Sequence, residues 1–286
     1  MKTISPSQMD AMSCRLAWYL SYVEGYRPKQ SSTALELGTA VHEALAHYYL
    51  GKGHPTPFFE EWVDGRMAKM ENLWEDDLKK MADARTLGIA MLNGYIEEYK
   101  SKDNFDVLAI EQNLNREIPV PDAPDERSGC HLAVRLDGLV RDRETGFLWC
   151  LEHKTFSRFS LTHLDLDHQF TSQVWVGQAL AENMDIEEPV VGVIYNGLRK
   201  QTPGPRVKLK LFERHKIYRT ASQIGTLLHR AYWQFKETDR DDLPIYPQPN
   251  AVRCSGCGFR QVCVEYQRGG DYQFLLDNQF KKRGRK

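Results

Sequence analysis

Two short apolar stretches that each contain an acidic residue constrain the fold of this chain more than any other feature. Residues 134–140 contain Asp137, and residues 147–154 end in Glu152-His153-Lys154. Both stretches are rich in Val, Leu, Phe and Trp, and the polar, glycine-containing residues 141–146 between them are typical of a hairpin connection. A hairpin centred on that connection would place Asp137 almost opposite Glu152.

The chemistry of this hairpin favours a cation site. Two carboxylates placed side by side repel each other, so a half-buried sheet that holds both is expected to bind a cation between them. Lys154 would lie on the same face as Glu152 and would add a positive charge facing whatever the cation holds. This arrangement is typical of metal-dependent phosphodiesterases, although a solvent-exposed hairpin with cross-strand ion pairs shows the same short pattern.

Composition predicts a globular protein that stays in the cytoplasm. The chain has 286 residues, of which 41% are apolar and 27% are charged, enough for one large core or a domain with a helical insertion. We expect no membrane partner, because no apolar run approaches the roughly twenty residues that span a bilayer. The start of the chain lacks the apolar block of a signal peptide, so its thiols are expected to stay reduced.

Charge gives one hint of a nucleic-acid partner. The net charge of −1 indicates none, but residues 281–286 carry five positive charges. Such a tail can attract a phosphate backbone by counterion release, and it can equally be a solvated end. Residues 199 and 200, after a predicted strand, form a second basic candidate.

The order of predicted elements favours an α/β fold with a mixed sheet. Ser5-Pro6 begins a helix that includes Cys14, and a helix over residues 35–50 carries His42 beside its apolar stripe. Residues 58–100 are predicted to form two or three helices. Besides the hairpin, the predicted strands are 107–112, 115–120, 190–195 and 206–212, and the later helices are 164–183 and 213–236.

Cysteine spacing predicts a second metal site. Three thiols lie within ten residues of a polar loop: Cys254, Cys257 and Cys263. Zinc and iron–sulfur clusters both need four such ligands, and ligand type does not separate them. Cys130 and Cys150 fall on or beside predicted strands, where a buried thiol is usual. Cys14, on a terminal helix, is therefore the favoured fourth ligand.

Together, residues 38–42, the Asp137 hairpin and the split cysteine set resemble the RecB-like branch of the PD-(D/E)XK nucleases. The pattern is similar to iron–sulfur exonucleases related to the CRISPR-associated RecB-like exonuclease and the AddB nuclease domain. The resemblance implies an α/β, restriction-endonuclease-like core with a mixed central sheet flanked by helices, and an iron–sulfur clasp joining the N- and C-terminal segments. It implies a single domain over 1–270, with a helical insertion at 58–100, a cluster-binding loop at 250–265 and a basic tail at 271–286.

The resemblance also implies a role for each candidate residue. Mn²⁺ or Mg²⁺ would be bound by His42, Asp137, Glu152 and the backbone carbonyl of His153. Lys154 would polarise the scissile phosphate or orient water, and Gln169 would face the metal. A [4Fe–4S] cluster would be held by Cys14, Cys254, Cys257 and Cys263. The family usually has tyrosine four residues after that glutamine; Gln173 stands there, and we expect it to replace the phosphate or base contact by hydrogen bonding.

The implied function is a metal-dependent DNA exonuclease that acts on single strands, with 5′ to 3′ polarity. A helicase or recombination protein is an expected partner, since the chain lacks the phosphate-binding loop of a helicase motor. The alternative is a non-catalytic DNA-binding or accessory subunit of a recombination or helicase–nuclease complex. Intact His42, Asp137, Glu152 and Lys154 argue against that alternative.

Overall fold

The computed structural model describes residues 2–29, 33–68, 75–123, 125–157, 161–202, 204 and 210–283. Its helices are α1 Pro6–Ala11, α2 Arg15–Trp18, α3 Thr33–Tyr49, α4 Pro55–Met67, α5 Glu75–Tyr99, α6 His168–Asn183, α7 Ala221–Thr238, α8 Ala251–Ser255, α9 Arg260–Arg268 and α10 Tyr272–Gln279. Its strands are β1 Lys2–Ile4, β2 Tyr26–Pro28, β3 Phe105–Glu117, β4 Cys130–Asp142, β5 Leu148–Phe156, β6 Val190–Arg199, β7 Phe212–Tyr218 and β8 Phe280–Lys282.

The described residues fall into two compact units. The larger unit takes its residues from 32–116 and 133–227, and the smaller from 1–31, 117–132 and 228–286. The prediction of a single domain over 1–270 stays a prediction. No helix in the described part of the chain is both long and apolar enough to cross a membrane.

The larger unit is built on a mixed sheet, as predicted. Its strands follow the order β4-β5-β6-β7, and β3 also pairs with β4. The β4–β5 and β6–β7 pairs are antiparallel, whereas β5 and β6 are parallel and are joined by α6. Helices α3 and α6 both contact β5, and α5 contacts β6, so the sheet is flanked by helices.

The helical region packs around one apolar cluster in the larger unit. Phe59 of α4, Met91 and Leu92 of α5, and Val41 and Leu45 of α3 are all buried there. The prediction of two or three helices in 58–100 is confirmed, because α4 and α5 form there. Residues 69–74 of this region lie outside the described residues.

The smaller unit brings the described parts of the chain ends together. β1 pairs in parallel with the first residues of β4, and β2 pairs with β8 in antiparallel orientation. Leu16, Leu20, Phe259, Val262 and Phe280 form part of its apolar core. The basic tail is therefore partly structured, since residues 272–282 form a helix and a strand; 284–286 lie outside the described residues.

Several predicted elements need correction. The helix that begins at Ser5 stops at Ala11, and Cys14 is the N-cap of α2 rather than a residue inside one long helix. The two strands predicted over 107–120 are one strand, β3. Residues 213–218, predicted as helix, belong to strand β7. Most of the strand predicted at 206–212 lies outside the described residues.

Candidate active site

The β4–β5 hairpin brings Asp137 and Glu152 to adjacent positions. Its ladder runs from Arg141 paired with Leu148 to Gly138 paired with Leu151, and the next pair in that register would be Asp137 and Glu152. The ladder stops before that pair. Instead, Asp137 Oδ2 accepts a hydrogen bond of 2.8 Å from the backbone N–H of His153. Both carboxylates therefore emerge where the strands separate.

A cavity of about 450 Å³ opens at this point, within the larger unit. Its lining comes from helix α3, strands β4 and β5, helix α6 and Lys200, which directly follows β6. The residues that line it are Gly38, Thr39, His42, Glu43, Arg135, Asp137, Glu152, Lys154, Thr155, Gln169 and Lys200. All predicted metal and catalytic side chains, His153 apart, therefore meet in one cavity.

His42 and Asp137 form a hydrogen-bonded pair on one side of the cavity. His42 Nδ1 lies 3.2 Å from Asp137 Oδ2. Burial on its own would lower the pKa of His42, but the hydrogen bond and charge of Asp137 raise it. Burial likewise opposes the charge of Asp137, and the contact with His42 holds the pKa of that carboxyl below its usual range. The pair stabilises an ionised carboxylate in a buried position.

Glu152 is the more deeply buried carboxylate, with 3% of its surface exposed. Its Oε1 accepts from Lys154 Nζ at 2.8 Å and from Gln169 Nε2 at 2.9 Å. Burial and the nearby charge of Asp137 raise the pKa of Glu152. A cation between the two carboxylates would offset this repulsion.

His153 points its side chain away from the cavity. Successive strand residues face opposite sides, and its ring stacks on Tyr49 of α3, with 5.6 Å between ring centroids, and lies edge-on to Tyr95 of α5. Burial lowers the pKa of His153 to about 3, so the imidazole stays neutral at physiological pH. Among the described residues its Nδ1 has no hydrogen-bond partner. The predicted role of its backbone carbonyl stays a prediction.

Helix α6 places two glutamines against Glu152. Asp167 caps the helix by accepting from the backbone N–H of Gln169, and Gln169 and Gln173 follow one helical turn apart. Gln169 Oε1 accepts from Lys154 at 3.2 Å while its amide nitrogen donates to Glu152. The prediction that Gln173 contacts a phosphate or a base is wrong, because this side chain is fully buried and donates to Glu152 Oε2 at 2.6 Å.

Several residues that line the cavity were missed in the sequence. Arg135 lies two residues before Asp137 on β4, so strand alternation could have identified it. It donates to Glu111 of β3 at 2.6 Å and lies 3.6 Å from Glu43 of α3. Glu111 has a positive φ of 51°, which no sequence signal indicated. Lys200, a basic candidate after β6, does line the cavity.

The four predicted cluster cysteines line a separate cavity of about 210 Å³ in the smaller unit. Backbone N–H groups of Gln248 and Asn250 donate to the sulfurs of Cys14 and Cys254 at 3.4 and 3.3 Å. The side chain of Gln267 donates to Cys263 Sγ at 3.3 Å. By contrast, Cys130 and Cys150 are fully buried, as the sequence predicted.

Both donor sets suit the groups expected of them in chemical type. Two carboxylates and an imidazole suit Mn²⁺ or Mg²⁺, and four thiols suit an iron–sulfur cluster or zinc. As the side chains stand, however, the described part of the chain contains no group of three or more His, Cys, Asp and Glu residues arranged to hold a metal ion. In the first cavity the carboxylates are hydrogen-bonded to neighbouring side chains, so an ion would have to displace contacts such as those of Lys154 with Glu152 and of His42 with Asp137.

The fold and site define a nuclease class, and the comparison with protein families agrees. The sequence profile of the PD-(D/E)XK nuclease superfamily matches residues 3–264. The chain belongs to the PD-(D/E)XK nuclease superfamily, whose substrates are nucleic acids. The superfamily prediction is confirmed, whereas the RecB-like iron–sulfur branch stays a prediction.

Comparisons with solved structures and with curated sequences do not narrow this class further. The crystal structure of an exonuclease candidate from Eubacterium rectale is similar with a TM-score of 0.46 and 12% sequence identity, over 90% of this chain and 94% of that one. Comparison with curated protein sequences gives no significant match.

Proposed function

We propose that this chain is a metal-dependent deoxyribonuclease that hydrolyses phosphodiester bonds as an exonuclease. One observation supports the proposal most: Asp137, Glu152 and Lys154 surround a single cavity at the point where a hairpin opens. Burying two carboxylates beside each other is costly unless something cationic compensates. A purely structural hairpin would gain nothing from this arrangement.

His42, Asp137 and Glu152 would hold Mn²⁺ or Mg²⁺ in this cavity, with the backbone carbonyl of His153 as a further ligand. When bound, such an ion activates water and neutralises charge on the phosphate. Lys154 would stabilise negative charge on the scissile phosphate, and burial does not prevent this because Glu152 raises the pKa of that lysine. Gln169 would hold the side chains of Lys154 and Glu152 in place.

The substrate would be DNA, in the form of single strands cut from an end with 5′ to 3′ polarity. The resemblance to RecB-like iron–sulfur exonucleases supports this narrower statement. The cations of Arg135, Lys154 and Lys200 on the cavity wall suit a phosphate backbone. A helicase or recombination protein would supply the strand.

A [4Fe–4S] cluster would join the chain ends in the smaller unit. Cys14, Cys254, Cys257 and Cys263 line one cavity, and N–H groups donate to the sulfurs of Cys14, Cys254 and Cys263, an interaction that tunes the thiolate ligands of a cluster. Zinc would use the same ligands. A brown protein with broad visible absorbance would identify the cluster, and a colourless protein that contains zinc would exclude it.

The proposed activity is tested with end-labelled single-stranded DNA in Mg²⁺ or Mn²⁺, with chelator and with single-metal add-back. We expect Asp137→Asn, Glu152→Gln and Lys154→Ala each to lower the rate by about 100-fold or more, because each removes a charge that the transition state needs. The matched control is Asp106→Asn, which changes an exposed carboxylate of β3 that pairs with Arg143. It should cut DNA at the wild-type rate.

Two results would refute this assignment. Full activity in any of the three site variants would show that the cavity is not the active site. A wild-type protein that binds DNA but leaves it intact with every metal would favour the non-catalytic accessory subunit.

A further inference from the structure

Glu152 is held at both of its carboxylate oxygens. Oε1 faces the cavity, where it accepts from Lys154 and Gln169. Oε2 accepts from Gln173 Nε2 at 2.6 Å, the shortest of the three bonds. The last torsion of a glutamate side chain is broad and roughly two-fold, so rotamer preference alone does not fix the plane of this carboxylate. Donors on both oxygens do fix it.

Within the part of the chain that the structure describes, the bond to Glu152 is the one side-chain hydrogen bond that Gln173 makes. Its side chain is fully buried, beside the buried Val174 and Phe170 of the same helix. Among the described residues its Oε1 has no hydrogen-bond partner. Burying an amide with one group unpaired destabilises the fold, and an apolar side chain would avoid that cost. The bond to Glu152 is the compensating interaction.

The backbone at this position is also tied to strand β5. The thiol of Cys150, two residues before Glu152, donates to the backbone carbonyl of Gln173 at 3.4 Å. Gly177, one turn further along α6, lies so close to Cys150 that an added Cβ would come within 2.9 Å of the sulfur. The helix therefore sits at a fixed height above the strand, and Gln173 reaches Glu152 from that height.

The two glutamines of α6 thus have different positions. Gln169 lines the cavity and can touch what enters it, whereas Gln173 has no exposed surface and acts only through another residue. We infer that Gln173 is a positioning residue that holds the carboxylate plane of Glu152 in the orientation needed to bind a divalent cation. This inference rests on the proposed function of the cavity.

The test compares Gln173→Met and Gln173→Leu with the wild-type protein. Both variants remove the donor and place an apolar side chain of similar size in the buried position. We expect Mn²⁺ binding, measured by calorimetry without DNA, to weaken by about 10- to 100-fold, as is typical when a partner of a metal ligand is lost. The kcat for single-stranded DNA should fall with it, while the KM for DNA stays unchanged.

Gln178→Met is the matched control. Gln178 lies on the same helix, but its side chain accepts from the backbone N–H of Val190, and it is not one of the side chains that the structure describes as bonded to Glu152. It should bind Mn²⁺ like the wild-type protein. Far-UV circular dichroism and thermal unfolding check that the Gln173 variants fold.

Each outcome decides the inference. Unchanged Mn²⁺ affinity and kcat in folded Gln173 variants would overturn it and leave the nuclease proposal standing. Unfolding of both variants would overturn it too, because a residue that only orients Glu152 is not needed for folding. A wild-type protein that binds Mn²⁺ without cutting DNA would refute the nuclease proposal. The Mn²⁺ affinities of the Gln173 variants would still test whether Gln173 positions Glu152. Absence of both binding and cutting would overturn both.

Discussion

Gly192 lies where β6 passes between the backbone of β7 and an aromatic ring of β5. A Cβ at this position would come within 2.2 Å of the carbonyl oxygen of Ile217 and 2.8 Å of the ring of Trp149. Neither neighbour can move freely, since one is backbone of a paired strand and the other is a fully buried side chain. We expect Gly192→Ala to lower the free energy of unfolding by about 1–3 kcal/mol, measured by urea denaturation.

The same substitution, glycine to alanine, should have the opposite effect on stability at Gly225. It lies inside helix α7, and nothing approaches within 4 Å of a Cβ built on it. Gly225→Ala should raise the free energy of unfolding by about 0.5–1 kcal/mol, because alanine favours the helix. Equal effects at both positions would contradict the contacts described for Gly192.

Single residues of the site were predictable where strand or helix periodicity controls them. Asp137, Glu152 and Lys154 share a cavity because strand alternation and the hairpin register leave little choice. The position of Gln169 followed from helix spacing and a family pattern. Gln173 could not be predicted in the same way, because its partner lies 21 residues earlier in the chain and only the packing of α6 on β5 brings them together.

At the scale of elements, the turn of the β4–β5 hairpin is organised by Asp142. Its Oδ1 accepts from the backbone N–H groups of Glu144 and Thr145, and its Oδ2 accepts from Lys216 of the edge strand β7. The ammonium of Lys216, together with these N–H groups, lowers the pKa of Asp142 to about 2. One side chain therefore joins the turn to a strand from a distant part of the sequence.

This interaction predicts a pH-dependent stability. The folded-state pKa of Asp142 lies below its unfolded value of about 4, so its charge stabilises the protein above pH 4 and loses that effect as pH falls toward 2. We expect Asp142→Asn to be less stable than the wild-type protein at pH 6, since asparagine keeps the turn contacts but loses the ion pair. The difference in unfolding free energy should shrink as pH falls below about 4. A difference that stays constant down to pH 3 would contradict this assignment.

The edge strand β7 shows why charged elements are hard to identify in a sequence. Residues 213–218 include Glu213, Arg214 and Lys216 and were predicted as the start of a helix over 213–236. In the structure Arg214 donates to Asn196 of β6 and to Asp103, and its guanidinium lies 3.9 Å from the centroid of the Tyr99 ring. Edge strands commonly carry charged residues, and these pair with groups that are remote in sequence.

At the scale of the whole molecule, the order of helices and strands was enough to predict an α/β fold with a mixed sheet, and the family resemblance implied the helices that flank it. Which segments of the chain belong to which unit was not predictable, since residues 117–132 belong to the same unit as the described parts of both chain ends. The last three of these residues pair with β1, which joins residues more than a hundred positions apart. Local pattern carries no information about such pairing.

The cysteine cavity of that unit gives the last prediction. If Cys14 is a ligand of a [4Fe–4S] cluster, Cys14→Ser should lose iron and visible absorbance, because three thiols do not complete the ligand set. Cluster binding would stabilise the fold that creates it, so this variant should also unfold at a lower temperature and be cut faster by protease near residue 250. Iron content, the absorbance spectrum and limited proteolysis of protein purified without oxygen measure these effects.

Cys130→Ala is the matched control for this prediction, because Cys130 is a buried thiol of the same unit that does not line the cavity. It should keep the iron and the spectrum of the wild-type protein, although the lost sulfur contacts reduce its stability. Retention of a full cluster in Cys14→Ser would refute the split ligand set. Loss of iron in both variants alike would show that the cluster responds to general destabilisation, and Cys14 would then have no special role as a ligand.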